Sequence, residues 1–269
     1  MTFAGRLEAL IVIPSSLAIS AQNSVGGPTV VTVTAGSYYW TSNLFYGDLA
    51  TQLQTDLNAQ RPSGWTVTFD ATTRLVTINC TNTPWSITWT SVPFRNLLGF
   101  AANISSVSVA QTGTKQVRGL WAPNCPLDLE GDPRMAPIVT DLRAMRSPRG
   151  QVVSLVGNRY YRHRGLVWSA VPVDRYRAVA AVLNGETWEH FLHDTQIHQQ
   201  LDSSSIQVAS LFTPGSRVQI FDHTGGIVGD DFGLSGWFLQ GLAELDCKKT
   251  TPGWSGLWRV EIPEIVSDG

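Results

Sequence analysis

Charge is the first thing this sequence has little of. Charged residues make up only 15% of the 269, where an ordinary soluble chain carries about a quarter. Cysteine is nearly missing too: Cys80, Cys125 and Cys247 are an odd set, far apart and without a CxxC pair. This argues against both a disulfide framework and a zinc knuckle, and leaves buried free thiols as the expectation. No apolar run approaches the roughly 20 residues that a bilayer-spanning helix needs. GxSxG, HExxH, a Walker loop and a Cys–His signature are all absent, so nothing in the sequence supports an enzyme or calls for a cofactor.

What is present favours β-structure. Apolar residues reach 43%, and Ser, Thr, Asn and Gln supply most of the polar surface, as suits pleated faces. At this length one large or two medium domains can each bury a core. Ten tryptophans fit either β cores or contact surfaces. The N-terminal MTFAGRLEALIVIPSSLAISA has the basic residue, apolar run and small-residue end of a secretory signal. Glu8 and Pro14 interrupt it, and it reads better as strand, turn, strand.

The first half has a legible order. TVVTVTAG from residue 29 reads as a strand. GDLATQLQTDLNAQ then sets Leu49, Leu53 and Leu57 at helical spacing, with Arg61-Pro62-Ser63-Gly64 as the stop. WTVTFDATTRLVTIN alternates apolar and polar residues on either side of a short polar break, which predicts a hairpin. PWSITW gives a further strand. SVPFRNLLGF predicts a short helical turn, with Phe94, Leu97, Leu98 and Phe100 in the core and Gly99 allowing a sharp exit. ISSVSVAQTGTKQ predicts a terminal strand that leads into a connector.

We therefore expect a small helix-on-sheet α+β domain over residues 1–117. Residues 118–269 open with RGLWAPNCPLDLEGDPRMAP, whose prolines forbid a continuous helix or central strand and predict an ordered arm. Strands are expected at QVVSLVG, GLVWSAVPV, SIQVASLF, RVQIFD, GWFLQGLAEL and LWRVEIPEIV, and helices at DRYRAVAAVLNG and ETWEHFLHDTQIHQQL. The fold class is mainly β (α+β), the second part being a β-sandwich or barrel-like domain with one or two helices. The likeness among RGLW, RGLVW and SGLW is too short to be a repeat.

The net charge of −2 conceals two opposed blocks. Residues 134–177 hold nine arginines, among them Arg143, Arg146, Arg149, Arg159, Arg162 and Arg164, against Asp141 and Asp174, a net of 9 − 2 = +7. Residues 178–269 hold twelve Asp and Glu, including Asp230 and Asp231, against four basic residues, a net of 4 − 12 = −8. Arginine without lysine suits fixed ion pairs at protein interfaces. The blocks can pair head to tail between copies, building a ring, or pair within one chain. Tyr160, Tyr161, Trp168 and Tyr176 interleave with the arginines and could stack on the bases of a single strand; the acidic block that follows would repel phosphate.

Two weaker patterns bear on chemistry. His190, His193, Asp194 and His198 would fall within about 140° on a helix, but a solvated helix face explains them better than a metal site. HTGGIVGDDFG has glycines for a phosphate loop and paired carboxylates at Asp230 and Asp231. A strand, not a helix, is expected to follow it, so it reads as a long hairpin loop.

The run YYWTSNLFYGDLATQLQTDLNAQ, then WTVTFDATTRLVTIN, then FRNLLGF, resembles a recurring module of viral, mainly tailed-phage, virion proteins. That module is an extended aromatic stretch, a helix, a short hairpin and an LLGF closure, here over roughly residues 30–100. RGLWAPN and PGWSGLWRVEIPEIV are similar in general character to phage tail and baseplate components. The resemblance implies a structural subunit of a tail, tail tip or baseplate. Such a subunit is made in the host cytoplasm, resides in the virion, and assembles with itself as a ring and with neighbouring virion proteins. No functional residue carries over. The alternatives are a receptor-binding module that stacks a host glycan on Trp85, Trp168, Trp188 or Trp254, and single-strand nucleic-acid binding through the arginine block.

Overall fold

The computed structural model describes residues 6–43, 45–61, 64–121, 128–129, 136–146, 152–171, 206–208, 217–221, 226–227, 237–239, 244–248 and 257–267. The chain is mainly β, with several antiparallel sheets and two helices among the described residues.

The N-terminal reading of strand, turn, strand holds. Arg6–Ala9 (β1) and Ile11–Ile13 (β2) precede a turn at Pro14-Ser15-Ser16, and Leu17–Asn23 (β3) follows and pairs with Gly26–Val33 (β4). In β3 every second residue is buried, the signature of a sheet with one face on a core. Gly36–Tyr38 (β5) returns to pair with β2.

Leu49–Gln60 forms the first helix (α1). Its start is fixed by Asp48, whose Oδ1 accepts from the Thr51 amide at 2.7 Å, one of the orphan donors of a first turn. Leu49, Leu53 and Leu57, one turn apart, are all fully buried.

Trp65–Asp70 (β6) and Leu75–Cys80 (β7) make the expected hairpin. Its turn is set by Asp70, which accepts from the Thr72 amide at 2.7 Å and from the Thr73 hydroxyl at 2.9 Å. Trp85–Trp89 (β8) buries Trp85, Ile87 and Trp89 and pairs with β3.

Val92–Leu97 is the short second helix (α2), capped by Ser91 Oγ accepting from the Phe94 amide. Phe94, Leu97, Leu98 and Phe100 are buried as expected. Trp89 is stacked on Phe100 with ring centroids 5.6 Å apart. Gly99 has φ +84°, and a Cβ there would collide with the Lys115 carbonyl oxygen. ISSVSVAQTGTKQ is two strands rather than one. Ile104–Val107 (β9) pairs with β8, and Gln111–Thr112 (β10) crosses to β7.

Two sheets lie wholly within the first part, ordered β4-β3-β8-β9 and β10-β7-β6. Helix α1 does more than cover one of them: it bridges the free edges of both. On one side Gln60 exchanges two hydrogen bonds with the backbone of Thr32, at 2.8 and 2.7 Å, and Asp56 accepts from the Thr34 amide and hydroxyl. On the other, Asn58 makes the same double bond with Trp65, at 3.1 and 2.8 Å, while Gln54 accepts from the Val67 amide. These side chains stand where a neighbouring strand would, so the edges β4 and β6 are occupied.

Leu120–Trp121 (β11) and Asp128–Leu129 (β12) lie in the proline-rich stretch; Ala136–Arg146 (β13) follows, in a segment where no strand was expected. QVVSLVG and GLVWSAVPV, expected as two strands, are one continuous strand, Val152–Val171 (β14). Gln207–Val208 (β15) and Arg217–Phe221 (β16) follow. GWFLQGLAEL contributes two strands, Trp237–Leu239 (β17) and Glu244–Lys248 (β18), and both pair with Leu257–Ser267 (β19). The expected helices at residues 174–201 lie outside the described residues.

A nine-stranded sheet runs β11-β1-β16-β17-β19-β14-β12, with β13 on β14 and β18 on β19. Pairings cross the boundary expected near residue 117: β1 lies between β11 and β16, and β2 between β5 and β15. One hydrophobic cluster spans both parts, from Leu7, Leu53 and Trp85 to Trp121, Trp168 and Val260. Within it Trp121 and Trp168 meet edge to face with ring centroids 4.9 Å apart. Among the described residues, no helix is long and apolar enough to cross a membrane.

Candidate functional site

Two arrangements bring chemistry-bearing residues together. The first is a polar junction where β1, the loop after β5 and β16 meet. Arg6 and Glu8 are two apart on a strand and so share a face. Arg6 Nε donates to Glu8 Oε1 at 2.9 Å, with the two side chains 8% and 0% exposed. Glu8 also accepts from the Thr41 amide and hydroxyl, each at 3.1 Å. The Arg6 guanidinium lies 3.7 Å above the Phe221 ring, and that of Arg217 lies 5.0 Å from the ring of Tyr46.

Asn43 closes its own loop by accepting from the Phe45 and Tyr46 amides, both at 2.8 Å, and donates to Gln219 Oε1 on β16 at 2.8 Å. The loop so clamped holds Phe45 56% exposed. Burial is the largest influence on the Glu8 carboxyl and outweighs the Arg6 charge and the Thr41 hydrogen bonds, so its pKa sits above the ordinary 4.5. Tyr39 Oη is buried without a hydrogen-bond partner among the described residues, and burial holds that phenol above its ordinary pKa. With carboxylate and guanidinium bonded to each other inside the chain, this junction holds β1 against β16 and the loop. The signal for it is RLE inside an otherwise apolar strand, which the sequence reading passed over.

The second arrangement contains the arginine block. β13 and β14 pair from Ala136 opposite Arg162 to Arg146 opposite Val152. Within this ribbon Arg143 stands opposite Val156 and Arg159 opposite Val139. On its other side β14 pairs with β19 only from Arg162, opposite Val266, onward through Arg164, opposite Glu264, to Val171. Arg143, Arg146, Arg159 and Arg162 are thus brought into one two-stranded ribbon, while Arg164 meets an acidic residue of the same chain in register. Arg149, Asp230 and Asp231 lie outside the described residues, as do His190, His193, Asp194 and His198.

The acidic side of the same sheet shows a pattern that no local sequence signal could reveal. Glu244 of β18 is opposite Glu261 of β19, Glu261 is opposite Val167 of β14, and Val167 is opposite Asp128 of β12. One row across four strands therefore reads Glu, Glu, Val, Asp. The alternate positions Leu166, Trp168 and Val260 are fully buried.

Trp85 and Trp168, expected as surfaces for a glycan, are 1% and 0% exposed. This corrects that expectation: a ring must offer a face to stack on a sugar, and these two are enclosed by the core. Trp188 and Trp254 lie outside the described residues. Cys80 is a buried thiol that donates to the Asn82 carbonyl at 3.7 Å and accepts from Asn23 Nδ2 at 3.9 Å. No family model, curated protein or solved structure matches the chain.

Proposed function

We propose that this chain is a non-catalytic structural subunit of a tailed-phage virion, a ring-forming component of the tail, tail tip or baseplate. In that reading it is made in the host cytoplasm, resides in the particle, and has copies of itself and neighbouring virion proteins as partners.

The observation that carries the reading is the β13–β14 ribbon, an arginine-bearing extension that runs past the last pairing of β14 with β19. Two further features agree with it. Most large apolar residues of the module from the aromatic stretch to LLGF lie in the core, Phe45 and Val92 excepted, as suits a packed building block. Among the described residues, Arg143, Arg146, Arg159 and Arg162 lie on β13 and β14 and Glu244, Asp246, Glu261 and Glu264 on β18 and β19 of one sheet, which is compatible with head-to-tail pairing between copies.

The test is mass photometry and negative-stain imaging of the purified protein, together with detection of the chain in purified particles. Closed rings, or a fixed copy number per particle, are expected. A strictly monomeric protein absent from purified particles would overturn the proposal.

A further inference from the structure

The sheet ordered β4-β3-β8-β9 has one face on the core and one in water. Ile19, Ala21, Val31, Val33 and Ile87 are fully buried, so the alternate positions of their strands make up the outer face. The register sets these in rows: Val30, Ser20 and Thr88 run across three strands, Thr32 is opposite Ala18, and Gln22 is opposite Ser86. Ala18, Gln22, Thr32 and Thr88 are exposed, and Val30 is 66% exposed. No residue of β3, β4, β8 or β9 is charged. Soluble surfaces ordinarily interleave both signs of charge, which keeps copies apart; over these strands that guard is missing.

The edges of the sheet offer a partner little. β4 is closed by Gln60 at Thr32, by the Arg61 guanidinium in the space that a Cβ at Gly26 would need, and by Pro28, which has no amide to give. β9 is four residues long, has Ser106 at φ +46° and pairs with β8 in an irregular register; short and bulged edges resist strand addition. Association through this sheet is therefore left to its face. A two-fold contact sets a patch against itself, so a charge near the axis meets its own like. A different protein could answer such a charge with the opposite one, but a second copy could not. Absence of charge at every outward position is the condition that self-pairing imposes. Small side chains meet the other condition, since stacked sheets approach to about 10 Å and Ala18, Ser20 and Thr88 leave room for that approach.

We infer that the outer face of β4, β3 and β8 packs against the same face of a second copy, across a two-fold axis that passes near Ser20. Ser20 is the middle residue of the row Val30, Ser20, Thr88, and its strand is the middle one of the three. Val30, Ala18 and the threonine methyl groups supply apolar contact, and the hydroxyls can pair with hydroxyls of the other copy. Three strands at about 4.8 Å spacing make a face well short of the roughly 800 Å² per partner of a standard interface, so the pairing is weak and depends on concentration. The contact is isologous and closes on itself. It goes beyond the ring-forming reading: it joins copies, or whole rings, in pairs.

The experiment is sedimentation velocity of the full chain over a rising series of protein concentrations. The mass should double as concentration rises, whether the unit that pairs is one copy or a ring. Ser20→Lys and Ser20→Glu should each weaken this doubling by roughly tenfold or more, because each sets like charge against like across the axis, and an equimolar mixture of the two variants should recover it. Ser20 is on the outward face, so both variants should melt close to the temperature of the unaltered protein. If either loses its fold, salt carries the test: the doubling should hold from low to high salt, where a charge-paired contact would loosen. A doubling that survives both substitutions, or one that fades with salt, overturns the face contact and leaves the ring-forming reading standing, as do rings that never pair. A chain monomeric at every concentration overturns both.

Discussion

Glu8 shows how one residue can tie distant parts of a chain together. Its carboxylate holds Arg6 of its own strand and Thr41 of the loop, and Arg6 in turn lies over Phe221 of β16. Removing one member of a buried pair leaves the other uncompensated, which typically costs about 3–5 kcal/mol. Glu8→Ala should therefore destabilise the protein by an amount in that range in chemical denaturation. Replacing both partners, as Arg6→Met with Glu8→Leu, should cost clearly less, since no buried charge remains; a double variant as unstable as Glu8→Ala would refute the pairing as the cause. The pH dependence has a definite sign. Because the folded pKa is raised above 4.5, the folded state holds this proton more tightly than the unfolded chain between the two values. Stability contributed by Glu8 is then greatest below 4.5 and declines as pH rises through the folded value. The difference in unfolding free energy between the unaltered protein and Glu8→Gln, measured from pH 4 upward, should fall with pH; a flat or rising difference contradicts the assignment. The pair was within reach of the sequence, since Arg6 and Glu8 stand two apart in an apolar run. Its partners Thr41 and Phe221 were not, because the distance along the chain carries no trace of them.

At the scale of elements, what could be read from the sequence and what could not divide along the line between local and non-local physics. Leu49, Leu53 and Leu57 announced α1, the alternation around Asp70 announced the β6–β7 hairpin, and LLGF announced a buried turn. Each signal lies within one element and its immediate neighbour. The same residues did not say that Asn58, Gln54, Asp56 and Gln60 face strand edges, because polar positions on a helix read as solvent-facing until the flanking strands are in place. Nor did they say that QVVSLVG and GLVWSAVPV are one strand, since Gly157 and Gly165 look like breaks until β13, β12 and β19 pair across them. The edge-capping role of α1 makes a prediction. Asn58→Ala would strip the Trp65 amide and carbonyl of their partners, and a buried group so left costs about 1–3 kcal/mol. Asn58→Ala should therefore lower stability within that range and speed hydrogen exchange at the Trp65 amide, whereas Asn58→Gln, which keeps the amide but lengthens its reach, should recover part of the loss. Unchanged exchange at Trp65 would mean that the helix does not guard that edge.

At the scale of the whole molecule, the decisive fact is that the first thirteen residues belong as much to the large sheet as to the part they begin. β1 fills the place between β11 and β16, placing Leu7 opposite Trp121 and Ile220, and β2 receives β15. Trp40 Nε1 donates to the Arg118 carbonyl at 2.7 Å, and Asn43 reaches Gln219. A chain cut near residue 117 would thus expose two strand edges on one side and Leu7, Ile11 and a buried ion pair on the other. Unpaired edges and bared apolar strands favour aggregation over folding. Residues 1–117 and 118–269 produced separately should each lack a cooperative thermal transition, and co-expressed they should co-purify as one complex with a single transition. Two pieces that melt cooperatively on their own, at the temperatures of two transitions seen in the intact chain, would establish independent domains instead. The result also bears on assembly. If the parts form one cooperative unit, a load on the β13–β14 ribbon passes through β14 and β19 into the same core that holds the LLGF module. A ring built on that ribbon would then draw on the whole molecule's stability, not on that of a tethered half.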